Sequence, residues 1–332
     1  MSDETKVSTV IVTWNSSRDI EACLKSLLQQ THSVHEIVLV DNASSDGTAE
    51  LVAKLFPSVN LIRLDYNAGF AKGNNIAIVR TTGEWVLALN PDAVIESDWI
   101  EKLLAFSNAH PKAGALGGLL LRADGGSDGE VLGSVGIEIY RSRRVRDRGA
   151  GELANDLPVE PSRVFGVCAA AALYRREMLA DVSVSGEVFP ESFYCYYEDA
   201  DLAWRAWRRG WEAWILPTAV GRHHRGGSPT GAKFSRYLTH RNRMWMIVRN
   251  DRFGSLWSSL PEILFHEILL LLRMLRYPYL IKASLEAFLG LPKAFRARKL
   301  LASTLNSPPP FLPGVGFTAI EQKNALRRIR NI

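Results

Sequence analysis

Short apolar runs alternate with longer amphipathic segments along the first hundred residues. Val7–Thr13 (VSTVIVT), Glu36–Val40, Val59–Leu64 and Trp85–Leu89 are β-branched or aliphatic and of strand length. Between them, Asp19–Gln30, a segment ending at Phe56 and a segment from Asn67 to about Arg80 read as helices. In the first of these, Ile20, Cys23, Leu24, Leu27 and Leu28 share one face, and Ser16 or Ser17 is placed to cap it. Strands that are apolar throughout are covered on both faces. The order strand, helix, strand, helix, strand, helix, strand predicts an α/β fold with a mostly parallel, doubly wound sheet.

The run Trp85–Leu89 stops at Asn90-Pro91-Asp92. Proline cannot continue a central ladder, so Asn90 and Asp92 fall at the carboxyl edge of the sheet, where open α/β folds bind ligands. An amide oxygen and a carboxylate two residues apart can hold a hard cation, Mg²⁺ or Mn²⁺. The competing reading is a strand-ending turn in which Asp92 caps the next helix. Asp41 and the Asn67–Asn74 segment converge on the same edge. Gly69 and Gly73 let backbone approach a ligand. Lys72 offers phosphate a point charge, or is simply a solvated surface lysine. The first strand is followed by TWNSSRD, without glycine, so the dinucleotide fingerprint G-x-G-x-x-G is missing.

Further along, Asp98–His110 reads as a helix, and Gly114–Leu121 and Val135–Tyr140 as strands. Arg141–Arg148 (RSRRVRDR) is either a solvated loop or a contact for an acceptor or lipid phosphate. Gly149–Pro161 reads as a flexible acidic loop, Val164–Leu173 as a strand or tight core, and Trp211–Leu216 as a strand ended by Pro217. A second chemical centre lies in Phe189–Trp211. Glu198, Asp199 and Asp201 cluster at the start of a helix over Ala200–Arg209, and Asp201 and Arg205 are spaced to pair. A cap and a salt bridge account for Asp201 and Arg205, but not for two more acids beside Phe193, Tyr194, Tyr196 and Tyr197. Apolar surroundings raise a carboxylate's pKa and suit it to general-base work. Arg222 or Arg225, flanking His223-His224, can neutralise a bound diphosphate.

Composition adds an asymmetry. The chain has 332 residues, 47% hydrophobic and 23% charged, enough for a large core. Residues 231–332 hold 17 Lys and Arg against 5 Asp and Glu, net +12; residues 1–230 hold 23 against 30, net −7. This divides the chain into an acidic catalytic domain, 1–230, and a basic helical region, 231–332, that meets an anionic surface. Ile263–Leu275 is too short and too interrupted by charge to span a bilayer. It fits a helix lying on a membrane face or, equally, a hairpin packed on the body or on a second copy of the chain. Asn306–Gly316 is Pro-rich and reads as extended, and Leu326–Arg330 is basic. A nucleic-acid partner is disfavoured, since no recognised binding module is present. Three cysteines without metal spacing and an N-terminus without a signal-like core fit a reducing cytoplasm.

VSTVIVTWNS, EIVLVDNASSDGT, NAGFAKGNN and WVLALNPDA together resemble the nucleotide-sugar half of inverting glycosyltransferases of family 2, and most closely their bacterial rhamnosyltransferase-like branch. The resemblance implies a GT-A fold. It sets Thr13 and Asn15 beside the nucleotide, Asp41 on the base or ribose, and Asn67, Gly69 and Lys72 along the diphosphate. Asp92 becomes the metal-binding acid, with Asn90 where many members carry Asp. The segment EDADL resembles the family's acid motif, which implies Asp199 as the base for the acceptor hydroxyl, with Glu198 as the alternative. His223 matches a histidine that touches diphosphate or metal. The implied activity is metal-dependent transfer of a sugar to a lipid-linked or polysaccharide acceptor on the inner face of the cell membrane. L-rhamnose from dTDP-rhamnose is the first expectation, with a UDP-hexose or GDP-mannose as the alternative donor. A non-catalytic nucleotide-sugar-binding protein is the other class; the presence of both Asp92 and the Glu198/Asp199 pair argues against it.

Overall fold

The computed structural model describes residues 5–125, 129–154, 160–224 and 231–303. Its first half follows the apolar rhythm: β1 (Val7–Thr13), α1 (Ile20–Leu28), β2 (Glu36–Asp41), α2 (Thr48–Leu55), β3 (Asn60–Arg63), α3 (Gly69–Val79) and β4 (Trp85–Leu89). Then come β5 (Ala93–Ile95), α4 (Trp99–Ala109), β6 (Ala113–Arg122), β7 (Leu132–Ser134), β8 (Ile137–Ile139), β9 (Val145–Asp147), β10 (Ser162–Val164) and β11 (Ala171–Arg175). The chain continues through α5 (Arg176–Val182), α6 (Glu198–Arg208), β12 (Glu212–His223), α7 (Gly231–Asn250), α8 (Phe253–Ser258), α9 (Leu260–Arg276), α10 (Tyr279–Leu289) and α11 (Leu291–Ser303).

The main sheet runs β10-β12-β6-β11-β4-β1-β2-β3. Strands β4, β1, β2 and β3 are parallel, with Val10 level with Val38 on one side and Ala88 on the other. Because they are parallel and joined by helical crossovers, their carboxyl ends fall at one edge. β11 lies antiparallel between β4 and β6, a reversal that its small apolar residues do not announce. Alternate strand residues feed two cores. Val7, Ile11, Leu39 and Leu87 pack with Ile20, Leu24, Trp99 and Leu103 of α1 and α4. Val10, Val38, Val40 and Ala88 pack with Ala71, Ile78, Met178 and Leu202 of α3, α5 and α6.

Two expectations need correction. Pro217 does not end the last strand. β12 continues to His223, and its register against β6 shifts between Leu216 and Val220, so the proline falls where no ladder bond is required. The basic run Arg141–Arg148 is not a simple solvated loop. Arg143 is fully buried, 2.5 Å from Asp251, and Val145–Asp147 forms β9 against β8. The expected loop at Gly149–Pro161 lies partly outside the described residues, and Asn306–Gly316 and Leu326–Arg330 lie wholly outside them.

Helix α7 packs against α6, and α10 and α11 pack on α7. Asp201 of α6 is gripped by Arg205, by Arg249 at 2.8 Å and by Asn250 at 2.7 Å. Three charges are thereby compensated together in a dry interior, where any one alone would be costly, and Asn250 Oδ1 is left without a partner among the described residues. α9 behaves differently: it buries Leu270 and leaves Leu264, Ile268, Leu271 and Leu275 exposed. No helix among the described residues is long and apolar enough to cross a membrane.

Candidate functional site

The carboxyl ends of β1 and β4 open into a cleft of about 570 Å³. Thr13, Asn67, Gly69, Asn90, Asp92 and His223 line it from the sheet edge, and Glu198 and Asp199 from the start of α6. Asp92 and His223 are 131 positions apart, yet β12 pairs His223 with Ala93 of β5 and so sets the ring against Asp92. His223 Nε2 stands 3.1 Å from Asp92 Oδ1 and 3.4 Å from the Asn90 amide nitrogen. Asn90 is itself anchored, its N–H donating to Ala170 and its carbonyl accepting from the buried Cys23 thiol.

Neighbouring ligands of an octahedral ion with bonds of about 2.1 Å stand about 3 Å apart, so Asp92 and His223 can reach one Mg²⁺ or Mn²⁺. Among the described residues no third His, Cys, Asp or Glu joins them in a metal-binding group. Such a donor set suits a cation shared with a phosphate ligand and water, not a closed protein cage.

Four other candidates stand back from the cleft wall. Asp41 is buried and accepts from Thr13 Oγ1 at 2.8 Å, from Ser44 N at 3.0 Å and from Ser44 Oγ at 2.5 Å. Its carboxylate thus ties the β1 end to the loop after β2. Asn15, with φ 53°, accepts from Ser45 N at 2.8 Å and pins the same two loops. Lys72 is on the surface, 2.9 Å from Tyr66 Oη. Arg222 pairs with Glu130 at the surface. Arg225 lies outside the described residues.

The acid end of the cleft is electrostatically uneven. Burial, then the nearby Asp147, raises Asp199 to about 6. Burial and the Asp199 charge push Glu198 well above the usual carboxylate range, and one of its oxygens has no hydrogen-bond partner. Two adjacent acids with separated affinities can divide their roles. Glu198 holds its proton more tightly than a free carboxyl does, while Asp199 is ionised above about 6 and able to take a proton. Asp147 and Asp19 also line the cleft, and neither was singled out from sequence. Asp147 hides inside a basic run, and Asp19 reads as an ordinary helix start.

The loop carrying these acids is strained. Tyr194, Tyr196 and Tyr197 all have positive φ, between 67° and 71°, a region that bulky residues rarely occupy. Two side chains of α7 hold it: the two N–H groups of the buried Asn242 amide are shared among the carbonyls of Phe193 at 2.9 Å, Cys195 at 2.9 Å and Tyr196 at 2.8 Å, and Arg241 Nη2 also donates to Phe193 O at 3.0 Å. Asn242→Ala strands the Cys195 and Tyr196 carbonyls and is expected to destabilise the fold by about 2–4 kcal/mol. Asn242→Asp sets oxygen against oxygen and should be worse. Denaturant unfolding checks both, and a loss under about 0.5 kcal/mol would show that the loop holds itself.

Residues 8–183 match the model for glycosyl transferase family 2, slightly over half of the chain. Among curated proteins, the N-acetylglucosaminyl-diphospho-decaprenol L-rhamnosyltransferase of Mycobacterium tuberculosis is 27% identical over 282 residues, covering 75% of this chain and 86% of that protein. Among solved structures, Staphylococcus aureus TarS residues 1–349 with UDP-GlcNAc superposes with a TM-score of 0.56 at 21% identity, covering 90% of this chain and 87% of that one. GalNAc-T7 with UDP, GalNAc and Mn²⁺ superposes with a TM-score of 0.58 at 15% identity, covering 75% of this chain and 48% of that one. These structural likenesses are of fold, and the fold is the GT-A type.

Proposed function

The chain belongs to glycosyl transferase family 2 and is a glycosyltransferase; from that premise we propose that it moves L-rhamnose, with inversion, from dTDP-rhamnose to a lipid-linked acceptor in the synthesis of a bacterial surface glycan. The observation that carries the proposal is the sharing of one cleft by the Asp92–His223 pair and the desolvated Asp199. The choice of rhamnose and of a lipid-linked acceptor is supported by the mycobacterial relative.

In this reading the nucleotide end of the donor lies over Thr13, Asn67 and Gly69. Asp92 and His223, with Asn90 beside them, would hold a Mg²⁺ or Mn²⁺ ion at the diphosphate end of the cleft. When bound, that ion supplies positive charge against the negative charge that collects on the leaving diphosphate. Asp199 takes the proton of the acceptor hydroxyl. The hydroxyl oxygen then bonds to the anomeric carbon from the face opposite the diphosphate, and the broken bond's electron pair stays on the diphosphate oxygen. One base suffices for an inverting displacement, and burial and the Asp199 charge both favour the neutral form of Glu198 beside it.

The basic C-terminal region, 231–332, would hold the catalytic body, 1–230, against the membrane face where a lipid-linked acceptor resides. Support comes from the exposed apolar side of α9 and from Phe288 and Leu289 of α10, which are 69% and 67% exposed.

Calorimetric titration of dTDP-rhamnose, UDP-glucose, UDP-galactose and GDP-mannose, each with and without Mn²⁺, tests the donor assignment. Binding of dTDP-rhamnose that needs Mn²⁺ and weakens at least ~100-fold in Asp92→Ala is expected, since a diphosphate loses its charge-assisted anchor. Equal binding by Asp92→Ala would remove the cation from the reading. Preference for a UDP or GDP sugar would replace the donor.

A further inference from the structure

We propose that a second cavity, walled by α7, α9 and the start of β9, binds the phosphate of an amphiphilic acceptor and presents the attached sugar to Asp199. This rests on the glycosyltransferase reading and adds to it a subsite for the acceptor. The cavity measures about 570 Å³. Five arginines line it, Arg144, Arg236, Arg243, Arg273 and Arg276, and among the described residues no carboxylate does. Arg243 is paired from behind by Glu267 at 2.6 Å. Its Nε is nevertheless buried without a partner, as is Nδ1 of His240, which also lines the cavity.

Like charges gathered in a partly desolvated space repel unless an anion joins them. His266, on the same wall, registers that field: burial and then the Arg243, Arg144 and Arg273 charges push it down to about 2. Guanidinium groups in this number match phosphate oxygens in geometry and in charge.

Two further features choose the kind of phosphate. The cavity wall is also apolar, through Leu270, Leu272 and Leu280. Beside that wall, α9 carries Ile268, Leu271 and Leu275, all exposed. A phosphate bearing an apolar chain finds both its charge and its chain matched there. The cavity also borders the catalytic cleft, because Val145, Tyr197 and Thr239 line both. Val145 N–H donates to Tyr197 Oη at 3.2 Å, and Tyr197 directly precedes Glu198 and Asp199. A headgroup seated among the arginines therefore sets the next sugar of the acceptor at the base.

Farnesyl diphosphate serves as the probe, titrated into the full chain in saturating dTDP so that the donor cleft is filled. Arg236 and Arg276 are both exposed, so the double variant Arg236→Gln/Arg276→Gln tests the cavity without emptying the core. It is expected to bind farnesyl diphosphate at least ~10-fold more weakly than the wild type, with dTDP affinity unchanged. Farnesol, inorganic pyrophosphate and short-chain phosphatidylglycerol should each bind the wild type at least ~10-fold more weakly than farnesyl diphosphate. Equal farnesyl diphosphate binding by the double variant would overturn the proposal. So would pyrophosphate or phosphatidylglycerol binding as tightly as the probe, which would mark a free-phosphate site or a membrane anchor. Failure of dTDP to bind would count against the donor reading alone, because the probe's dependence on the arginines is measured separately.

Discussion

Asp199→Asn is expected to lower the transfer rate by about 10³-fold, within the range for loss of a general base, and at the same time to stabilise the fold. The second effect follows from the residue's setting. Burial and Asp147 raise Asp199 from 3.8 to about 6. The folded state therefore binds this proton more tightly than the unfolded chain does. Stability contributed by the protonated form is present below about 4, falls as pH rises towards 6, and stays lost above it. Asparagine carries no charge to desolvate, so the variant should be more stable by on the order of 2 kcal/mol at pH 7.5, with the difference shrinking towards pH 4. Denaturant unfolding at the two pH values checks the sign. A variant that is inactive and less stable at pH 7.5 would mean that Asp199 is a structural acid.

Gly69→Ala is expected to destabilise the protein by about 2–3 kcal/mol and to weaken donor binding at least ~10-fold, through strain and overpacking together. Gly69 has φ +83°, and a Cβ there would come within 2.5 Å of the Tyr194 ring. Tyr194 cannot yield freely, because its own φ is positive and its carbonyl accepts from Ala71 N at 3.0 Å. The added methyl would push the acid-bearing loop away from the sheet edge. Gly210→Ala is the control, with φ +85° and open space around the site. It should cost about 1 kcal/mol of strain and leave donor affinity intact. Equal effects of the two substitutions on donor affinity would remove Tyr194 from the argument.

The parallel half of the fold was legible because each of its strands is a local apolar run. Val7–Thr13 and Trp85–Leu89 coincide with β1 and β4 to the residue. Topology placed Asp41, the Asn67–Asn74 segment and Asp92 at one edge; of these, Asn67, Gly69 and Asp92 line the cleft and Asp41 stands behind its wall. What stayed hidden depends on distant partners. The antiparallel insertion of β11 is decided by its neighbours β4 and β6, not by its own composition. Pro217 is tolerated within β12 because the register shifts there. Arg143 looked like one more cation in a basic run until Asp251, 108 positions away, buried it. Asn242 carried no mark of its hold on the tyrosine loop, which lies more than forty positions earlier. In each case an ordinary residue acquires its role from a partner that folding supplies.

The pH dependence of acceptor transfer, measured as kcat/KM from pH 4.5 to 8.5 in the wild type and in Asp199→Asn, tests the account most directly. The wild-type rate should fall on the acid side with a single limb near pH 6, where Asp199 gains its proton, and the residual rate of the variant should lack that limb. A wild-type limb at the ordinary carboxylate value of about 4, or a limb near 6 that survives in Asp199→Asn, would contradict the assignment of Asp199 as the base.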